Sequence, residues 1–393
     1  MINQENLEAQ KNAPTPVYPG RLAIQQRVLP VYRVEFFETL ALSCQGGLAV
    51  FAGSPRPDES IQVARTMEIA GLTRAKNIHI GKVNSPYYLC WQRGLLTWLE
   101  AWQPEALILE ANPRYLSAYR AAAWMRRRGR PVLGWGLGSP NAVGGAGKSV
   151  LAGLLSLTRR RFFGMFDALI AYSQQGALEY RALGFSSERV FVAPNAAVHR
   201  NSNPPPFRPP TYLDRPTVLF VGRLQERKRV DNLISACASL PPSLQPDLVI
   251  VGDGPDRERL QTLANDLYPR TEFPGAVHGS ALIPFFERAD LFVLPGTGGL
   301  AVQEAMGYAL PVVVAEGDGT QDDLVRPGNG WRVRSNDLDH LRIALEEALS
   351  DPARLRQMGR ESYRIVQEEA NIETMVAGFL TALTETSLSK AHS

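Results

Sequence analysis

The sequence is poor in the residues that build disulfide frameworks and metal cages. Its three cysteines, Cys44, Cys90 and Cys237, lie far apart, leave an odd count and form no metal-ligand spacing. That excludes a disulfide-stapled scaffold and leads us to expect a reduced, cytoplasmic setting. No apolar run approaches the ~18 residues of a membrane-spanning helix. The opening stretch MINQENLEAQKNAPTP is polar and lacks the apolar core of a signal peptide, so residues 1–20 read as a loose tail. The one Asp-x-Asp, Asp337-Leu338-Asp339, has the form of a helix start, and no metal site is expected there.

Net charge is also small, at +3, but it is unevenly divided. Residues 1–200 carry 23 Lys and Arg against 13 Asp and Glu, whereas residues 201–393 carry 19 against 26. A basic half suits an anionic partner such as nucleic acid, a lipid surface or an anionic substrate. At 393 residues the chain exceeds one ordinary core, so two domains are expected.

The stretch NSNPPPFRPPTYLDRP (201–216) holds six prolines. Proline has no backbone N–H and resists helix interiors and central strands, so this stretch reads as a linker. It divides the chain into an N-terminal domain over 21–203, a linker over 204–216 and a C-terminal domain over 217–370. A last helix and tail follow over 371–393. Apolar strand-like runs punctuate both halves: RLAIQQRV, GGLAVFAG, ALILEA, PVLGWG, ALIAYS and VFVAPN, then TVLFVGR, DLVIVGDG, LFVLPG and PVVVAEG. Continuous apolar strands alternating with helical stretches predict parallel sheets covered on both faces, that is, two doubly wound α/β domains. Ligands in such folds sit beyond the C-terminal ends of the strands.

Chemistry gathers at those ends in the second half. After the first strand, Gly222 permits a tight turn, and Arg223 and Lys228 follow; two cations there suit a diphosphate, though either alone also suits a solvated surface. After the next strand, Gly252 and Gly254 begin a dinucleotide-like pattern that Arg257 interrupts. After the third, Pro295, Gly296, Gly298 and Gly299 open a helix carrying Glu304. The free N–H groups of Gly299, Leu300 and Ala301 would face an anion, and Glu304 could accept from ribose hydroxyls.

The pieces VLFVGRLQERKRVDNLI, LVIVGDGPDRERL, FPGAV, ADLFVLP and GGLAVQEAMGYALPVVV stand in the order found in the retaining GT-B glycosyltransferases of family 4, and the second half resembles that family. AYSQQGALEYRALGFSSERVFVAPNA resembles the family's stretch before the linker. The resemblance implies two Rossmann-like domains facing a cleft, with the last helix crossing back to the N-terminal domain. It implies a nucleotide-diphosphate sugar as donor, with no cofactor and no metal. Arg223 and Lys228 would neutralise the leaving diphosphate, and Glu304 would hold the ribose. Gly222, Gly252, Gly299, Leu300 and Ala301 would shape the donor site, and Gly275, Val277 and His278 would border the base. Two positions depart from the family pattern. Gly296 stands where many members have a glutamate contacting the donor sugar, and Leu137 or a neighbour stands where many have a histidine.

In the first half, Arg27, Tyr32 and Arg33 stand where the family binds its acceptor, and arginines there would suit an anionic one. NAVGGAGKSV (141–150) nearly matches a phosphate cradle, with Ala142 in place of the first glycine. A working cradle also needs a metal-holding carboxylate, for which Glu110 is the near candidate. The stretch reads better as an acceptor-side loop, with Lys148 away from the donor. Arg159, Arg160 and Arg161 beside Phe162 and Phe163 would suit a lipid interface or a solvated helix end. The expected activity is retaining hexosyl transfer to an acceptor hydroxyl on a glycan, lipid or small molecule. Peripheral contact with the cytoplasmic membrane face is expected through the basic domain, and no nucleic-acid partner is. The alternatives are a sugar-nucleotide-binding protein without turnover and an epimerase on the same fold.

Overall fold

The computed structural model describes residues 17–59, 61–81, 87–139, 158–201, 204–212, 214–317 and 321–391. It forms two compact units. The first comprises residues up to Ala193 together with Glu373 onward, and the second runs from Pro194 to Ile372.

The first unit is built on an eight-stranded sheet. Its strands are β1 (Leu22–Val28), β2 (Leu48–Gly53), β3 (Gly71–Ile80), β4 (Leu89–Arg93), β5 (Ala106–Glu110), β6 (Val132–Gly136), β7 (Ala168–Ala171) and β8 (Val190–Val192). The order is β4-β3-β2-β1-β5-β6-β7-β8, parallel except for the β3–β4 pair. β2, β5, β6 and β7 are buried almost throughout, as strands covered on both faces must be. β3 and β4 were not expected from the sequence. β3 reads GLTRAKNIHI, keeps most of its side chains exposed and carries the antiparallel edge. The sheet reverses direction of growth between β1 and β5, which is the switch point where a crevice opens.

The second unit holds a six-stranded, wholly parallel sheet. Its strands are β9 (Thr217–Val221), β10 (Asp247–Val251), β11 (Thr271–Gly275), β12 (Leu291–Leu294), β13 (Val312–Ala315) and β14 (Gly330–Val333). The order β11-β10-β9-β12-β13-β14 is the doubly wound order of a dinucleotide-binding fold, and its switch point lies between β9 and β12. β11 and β14 were likewise missed by sequence reading, since TEFPG and GWRV have no apolar run. Asp337 starts the helix Leu338–Ser350, its carboxylate accepting from the His340 N–H at 2.9 Å.

The proline-rich segment is a strap on the second unit and not a free tether. Arg208 donates to the carbonyls of Phe286, Ala289 and Tyr308 at 2.6 to 2.8 Å, and Arg356 donates to Pro209 O at 2.9 Å. Proline removes N–H donors but leaves carbonyls and the intervening arginine free to bond, so the unit boundary falls earlier, at Ala193–Pro194. Tyr18 is buried and its N–H reaches Ser43 O at 2.8 Å, so the first unit begins before residue 21.

The last helix, Ile372–Ala391, belongs with the first unit, as expected. Phe379 is fully buried, 4.8 Å from the Phe36 ring and 5.0 Å from Trp135. Gly378 lets the helix backbone approach Val192 O, and Lys390 pairs with Asp167 at 2.7 Å. No described helix is long and apolar enough to cross a membrane. Phe379→Ala should cost about 3–5 kcal/mol of stability through the cavity it opens. Urea unfolding reads this directly; a loss under about 1 kcal/mol would show that the helix is not part of that core.

Candidate functional site

In the second unit, three strand-end loops are pressed together at the level of the backbone. Gly222 N bonds Val251 O at 3.0 Å, Leu224 N bonds Asp253 O at 2.9 Å and Gly252 N bonds Gly275 O at 2.8 Å. A Cβ at Gly252 would collide with Gly222 O, and one at Gly254 with Leu224 O. On the other side, Thr297 N bonds Arg227 O at 3.2 Å, and a Cβ at Gly296 would collide with Arg227 O and the Lys228 backbone. The loop after β9 is thus held between glycines on both flanks. Gly296 is a point of backbone contact, with no room in this conformation for an acidic side chain.

Lys228 ends a 3₁₀ turn of that loop and is only 7% exposed. Its ammonium donates to Thr297 O at 2.8 Å and to Gly298 O. Burial, with Arg227 adding repulsion, pulls its pKa down to about 8 from the usual 10.5 despite those two acceptors. The Lys228 Nζ lies 3.8 Å from where a Cβ at Gly299 would be, so the structure brings the lysine and the glycine loop together. Arg223 is exposed and has no ion pair among the described residues.

Glu304 sits on the short helix Ala301–Gly307, with Leu300 as its N-terminal flank. Its carboxyl has no hydrogen-bond partner among the described residues, and burial holds its pKa above the usual carboxylate range. It faces a cavity of about 420 Å³ shared with Gly279, Ser280, Ile283, Phe286 and Tyr308. The Phe286 and Tyr308 rings stack at 5.2 Å. Gly275, at the end of β11, and Val277, packed against the core, are not among the lining residues; the turn just after them is. Gln303 was not foreseen. It is buried, donates to Asn195 O at 2.6 Å and accepts from the Ala197 N–H at 3.0 Å. No local pattern marks it, because its partners lie more than a hundred residues away.

In the first unit, Arg27 is not a free cation. Its guanidinium makes two bonds to Glu59, at 2.9 and 2.6 Å, and its backbone N–H donates to Glu110 Oε2. Burial pushes the Glu110 carboxyl up to about 7, against the opposing pull of that N–H and of Arg27 and Arg33. Arg33 is 5% exposed, with its guanidinium 4.7 Å from the Trp135 ring centroid and 5.5 Å from that of Tyr172. Tyr32, 5.4 Å from the same guanidinium, is exposed. Leu137, 41% exposed, lines a cavity of about 550 Å³ with Glu110, Arg114, Trp135 and Tyr172. Phe162 and Phe163 are core residues packed on Phe166 and Tyr180, so these rings do not form a lipid-facing pair. The NAVGGAGKSV loop, with Lys148, lies outside the described residues. Among the described residues no cluster of His, Cys, Asp and Glu could hold a metal ion.

Comparison with known proteins gives a consistent picture. The family model "Glycosyl transferases group 1" matches residues 205–365, and "Glycosyl transferase 4-like domain" matches 18–196. The chain is 43% identical over 116 residues to a GDP-mannose-dependent alpha-mannosyltransferase of Mycolicibacterium smegmatis, covering 29% of this chain and 28% of that one. It is 28% identical over 246 residues to a GDP-mannose-dependent alpha-(1-6)-phosphatidylinositol monomannoside mannosyltransferase of Mycobacterium tuberculosis, covering 59% and 61%. The matches therefore span less than two thirds of these relatives' own length. Among solved structures, a sucrose-phosphate synthase from Thermosynechococcus elongatus aligns with TM-score 0.64 at 19% identity, over 91% of this chain and 96% of that one. A lipopolysaccharide outer core galactosyltransferase aligns with TM-score 0.62 at 17% identity, over 93% and 99%. These two likenesses establish the fold.

The buried ammonium of Lys228 makes stability depend on pH. Between about pH 8 and the usual lysine value of 10.5, the unfolded chain keeps a proton that the folded chain has lost. Stability from this group therefore rises with pH through that window, on the order of 3 kcal/mol in all. Lys228→Met lacks the gain. Urea denaturation of both proteins at about pH 7.5 and about pH 10 should show the wild type improving relative to the variant. A difference that does not move with pH would mean the ammonium is not desolvated.

Proposed function

The chain belongs to the group 1 glycosyl transferases and has their GT-B fold, and from that premise we propose that it moves a mannosyl group from GDP-mannose to an acceptor hydroxyl, with retention at the anomeric carbon. The observation that carries the reading is Lys228, a buried cation held against the glycine loop at the switch point of the second sheet. A desolvated charge is costly to keep and gains most from a doubly charged partner, as a leaving diphosphate would be. Arg223, exposed on the same loop and unpaired among the described residues, supplies a second charge. Glu304 faces a cavity with a carboxyl that has no hydrogen-bond partner among the described residues, which suits a pair of ribose hydroxyls.

The chemistry needs no strong protein base. As the sugar–phosphate bond breaks, the leaving oxygen gathers negative charge beside Lys228 and Arg223. The same oxygen takes the acceptor's proton while the new glycosidic bond forms on the face it has left. Stabilising that charge is the protein's main electrostatic task, and the two cations do it without a metal. The acceptor belongs to the class named for the relatives, a lipid carrying a phosphorylated polyol. The positive excess of residues 1–200 suits peripheral contact with the anionic membrane face on which such a lipid lies.

A second reading has one observation in its favour. Gly296, where many relatives place an acidic contact to the sugar, is closed by the backbone of Arg227 and Lys228. A protein that binds the sugar nucleotide without turning it over would tolerate that loss.

The test is a GDP-release and mannosyl-transfer assay with GDP-mannose and vesicles containing phosphatidylinositol. Arg223→Ala and Lys228→Ala should each lower the rate ~10²-fold or more, with EDTA leaving the wild-type rate unchanged. NMR of the product should show the α anomer. Glu304→Gln should weaken GDP affinity by about 1–2 kcal/mol, read by calorimetry. Tight binding of GDP-mannose with no GDP release would favour the second reading, and near-wild-type rates in both cation variants would overturn the first.

A further inference from the structure

The antiparallel pair at the edge of the first sheet has its polarity inverted. Only the first half of β3, Gly71–Ala75, pairs with β2; Lys76–Ile80 runs on past the end of β2 at Gly53 and pairs with β4. The two strands thus form an arm that overhangs the C-terminal end of β2. Directly paired residues share a face. One face holds Asn77, His79, Cys90 and Gln92, and it is bonded inward. Asn77 donates to Arg27 O at 2.8 Å, Gln92 donates to Asn77 Oδ1 at 3.0 Å, and His79 Nδ1 meets the Tyr88 hydroxyl at 2.8 Å. The other face holds the pairs Lys76–Arg93, Ile78–Trp91 and Ile80–Leu89. Ile78 is 43% exposed, Ile80 53%, and Tyr87, just before β4, 83%. An antiparallel edge ordinarily turns its apolar face to the core and its polar face to water, and this arm does the reverse. Its outer face is also graded, with cations at the base and two apolar rungs beyond them. From Gly71 to Arg93 the chain has four Lys and Arg and no Asp or Glu, so no acidic group of the arm offsets them. Lys76 and Arg93 are exposed and have no ion pair among the described residues. Arg120 adds a guanidinium 5.8 Å from the Trp91 ring centroid.

Exposed apolar side chains rimmed by charge mark a contact surface, and the charge decides between partners. A second copy would bring this cationic, acid-free arm against itself across a two-fold axis, where like charges repel. Strand addition at the outer edge of β4 is restricted as well, because the Cys90 N–H already donates to Arg114 O at 2.9 Å. An anionic bilayer meets both features at once. Apolar rungs enter the acyl boundary, tryptophan sits at it, and lysine and arginine stay level with the phosphates. We propose that the β3–β4 arm is the membrane-contact surface of this protein, with Ile78, Ile80 and Leu89 entering the leaflet and Lys76, Arg93 and Arg120 held at its anionic headgroups. The inference gives a location to the peripheral contact proposed for the basic half and rests on that reading; none of its residues belongs to the donor site.

Flotation of the full-length protein with vesicles of phosphatidylglycerol in phosphatidylcholine, against phosphatidylcholine alone, reads the contact. The wild type should bind the anionic vesicles at least about tenfold more tightly. Ile78→Thr with Ile80→Thr keeps strand propensity, removes apolar area and should weaken that binding about tenfold. Lys76→Gln with Arg93→Gln should weaken it by a similar factor, and this second effect alone should shrink as salt rises. All four side chains are exposed, so Tm and the thermal shift given by GDP should match the wild type in both variants. Insertion has its own readout. The three native cysteines are buried, so Ile80→Cys can be labelled selectively with an environment-sensitive fluorophore. Its emission should be quenched by lipids brominated along the acyl chain. Wild-type binding that neither double variant weakens, or a label that brominated lipid does not quench, overturns the location and leaves the peripheral contact standing. No binding of the wild type to anionic vesicles overturns both, while an intact GDP shift leaves the donor reading in place. A label that responds to protein concentration without vesicles, together with a dimer in sedimentation, assigns the face to a second copy and overturns the proposal.

Discussion

The second unit depends on one loop that has no room to move sideways. The segment after β9 carries both cations, and backbone atoms of neighbouring loops press on it from two directions, at Gly252 and Gly254 on one flank and at Gly296 on the other. Any side chain at those three positions would force the loops apart. The restraint is steric and backbone-borne, which makes it stiff: interiors at this density pass displacement on without absorbing it. Lys228 is therefore aimed by carbonyls of Thr297 and Gly298, in a loop that is itself registered against Arg227 by a backbone hydrogen bond. The lysine and the loop that cradles it position each other.

The first unit reaches a similar end by different means. At its switch point the polar groups are side chains locked to one another across distant strands. Arg27 is held by Glu59, the Asn77 amide donates to Arg27 O, and the Gln92 amide reaches Gln26 O and Asn77 Oδ1. Such a network fixes geometry only when its members are satisfied. Arg33 stands outside it: its Nη1, like the Nε1 of Trp135 beside it, has no hydrogen-bond partner among the described residues. Backbone stitching in one unit suits a constant element such as a diphosphate, whereas a side-chain lattice can be re-specified residue by residue.

Much of this was legible in the sequence, and the limits follow from distance along the chain. The buried strands stood out because two-sided burial demands unbroken apolar runs, as in LAVFAG and DLVIV. β3 did not, because Arg74 and Lys76 put charges on one of its faces and Asn77 and His79 put polar groups on the other, and β11 carries Pro274 inside five residues. Lys228, Glu304 and the glycines were visible because their spacing is local. The pairing of Arg27 with Glu59 spans 32 residues, and the Arg33 cage needs Trp135 and Tyr172 from two further strands. A cation read from sequence carries no mark of whether it is spent on an internal partner. The structure divides Arg27 from Arg33 on that point alone. The proline-rich strap failed for a related reason: composition reports missing donors, while the docking of Arg208 depends on carbonyls of three other elements.

Each sheet thus ends at its switch point in a buried cation that the fold itself does not require. Lys228 has two carbonyl acceptors, and burial, with Arg227 nearby, still lowers its pKa. Arg33 has only aromatic faces, which return a fraction of its desolvation cost. A core selected for stability alone would place methionine or leucine at both positions, since replacing buried charge by packed apolar volume is commonly neutral or better. Two such residues, each at the crevice where its sheet changes direction, are local violations of stability rules of the kind that binding chemistry explains. The apolar strands make the rest of the molecule stable enough to carry them.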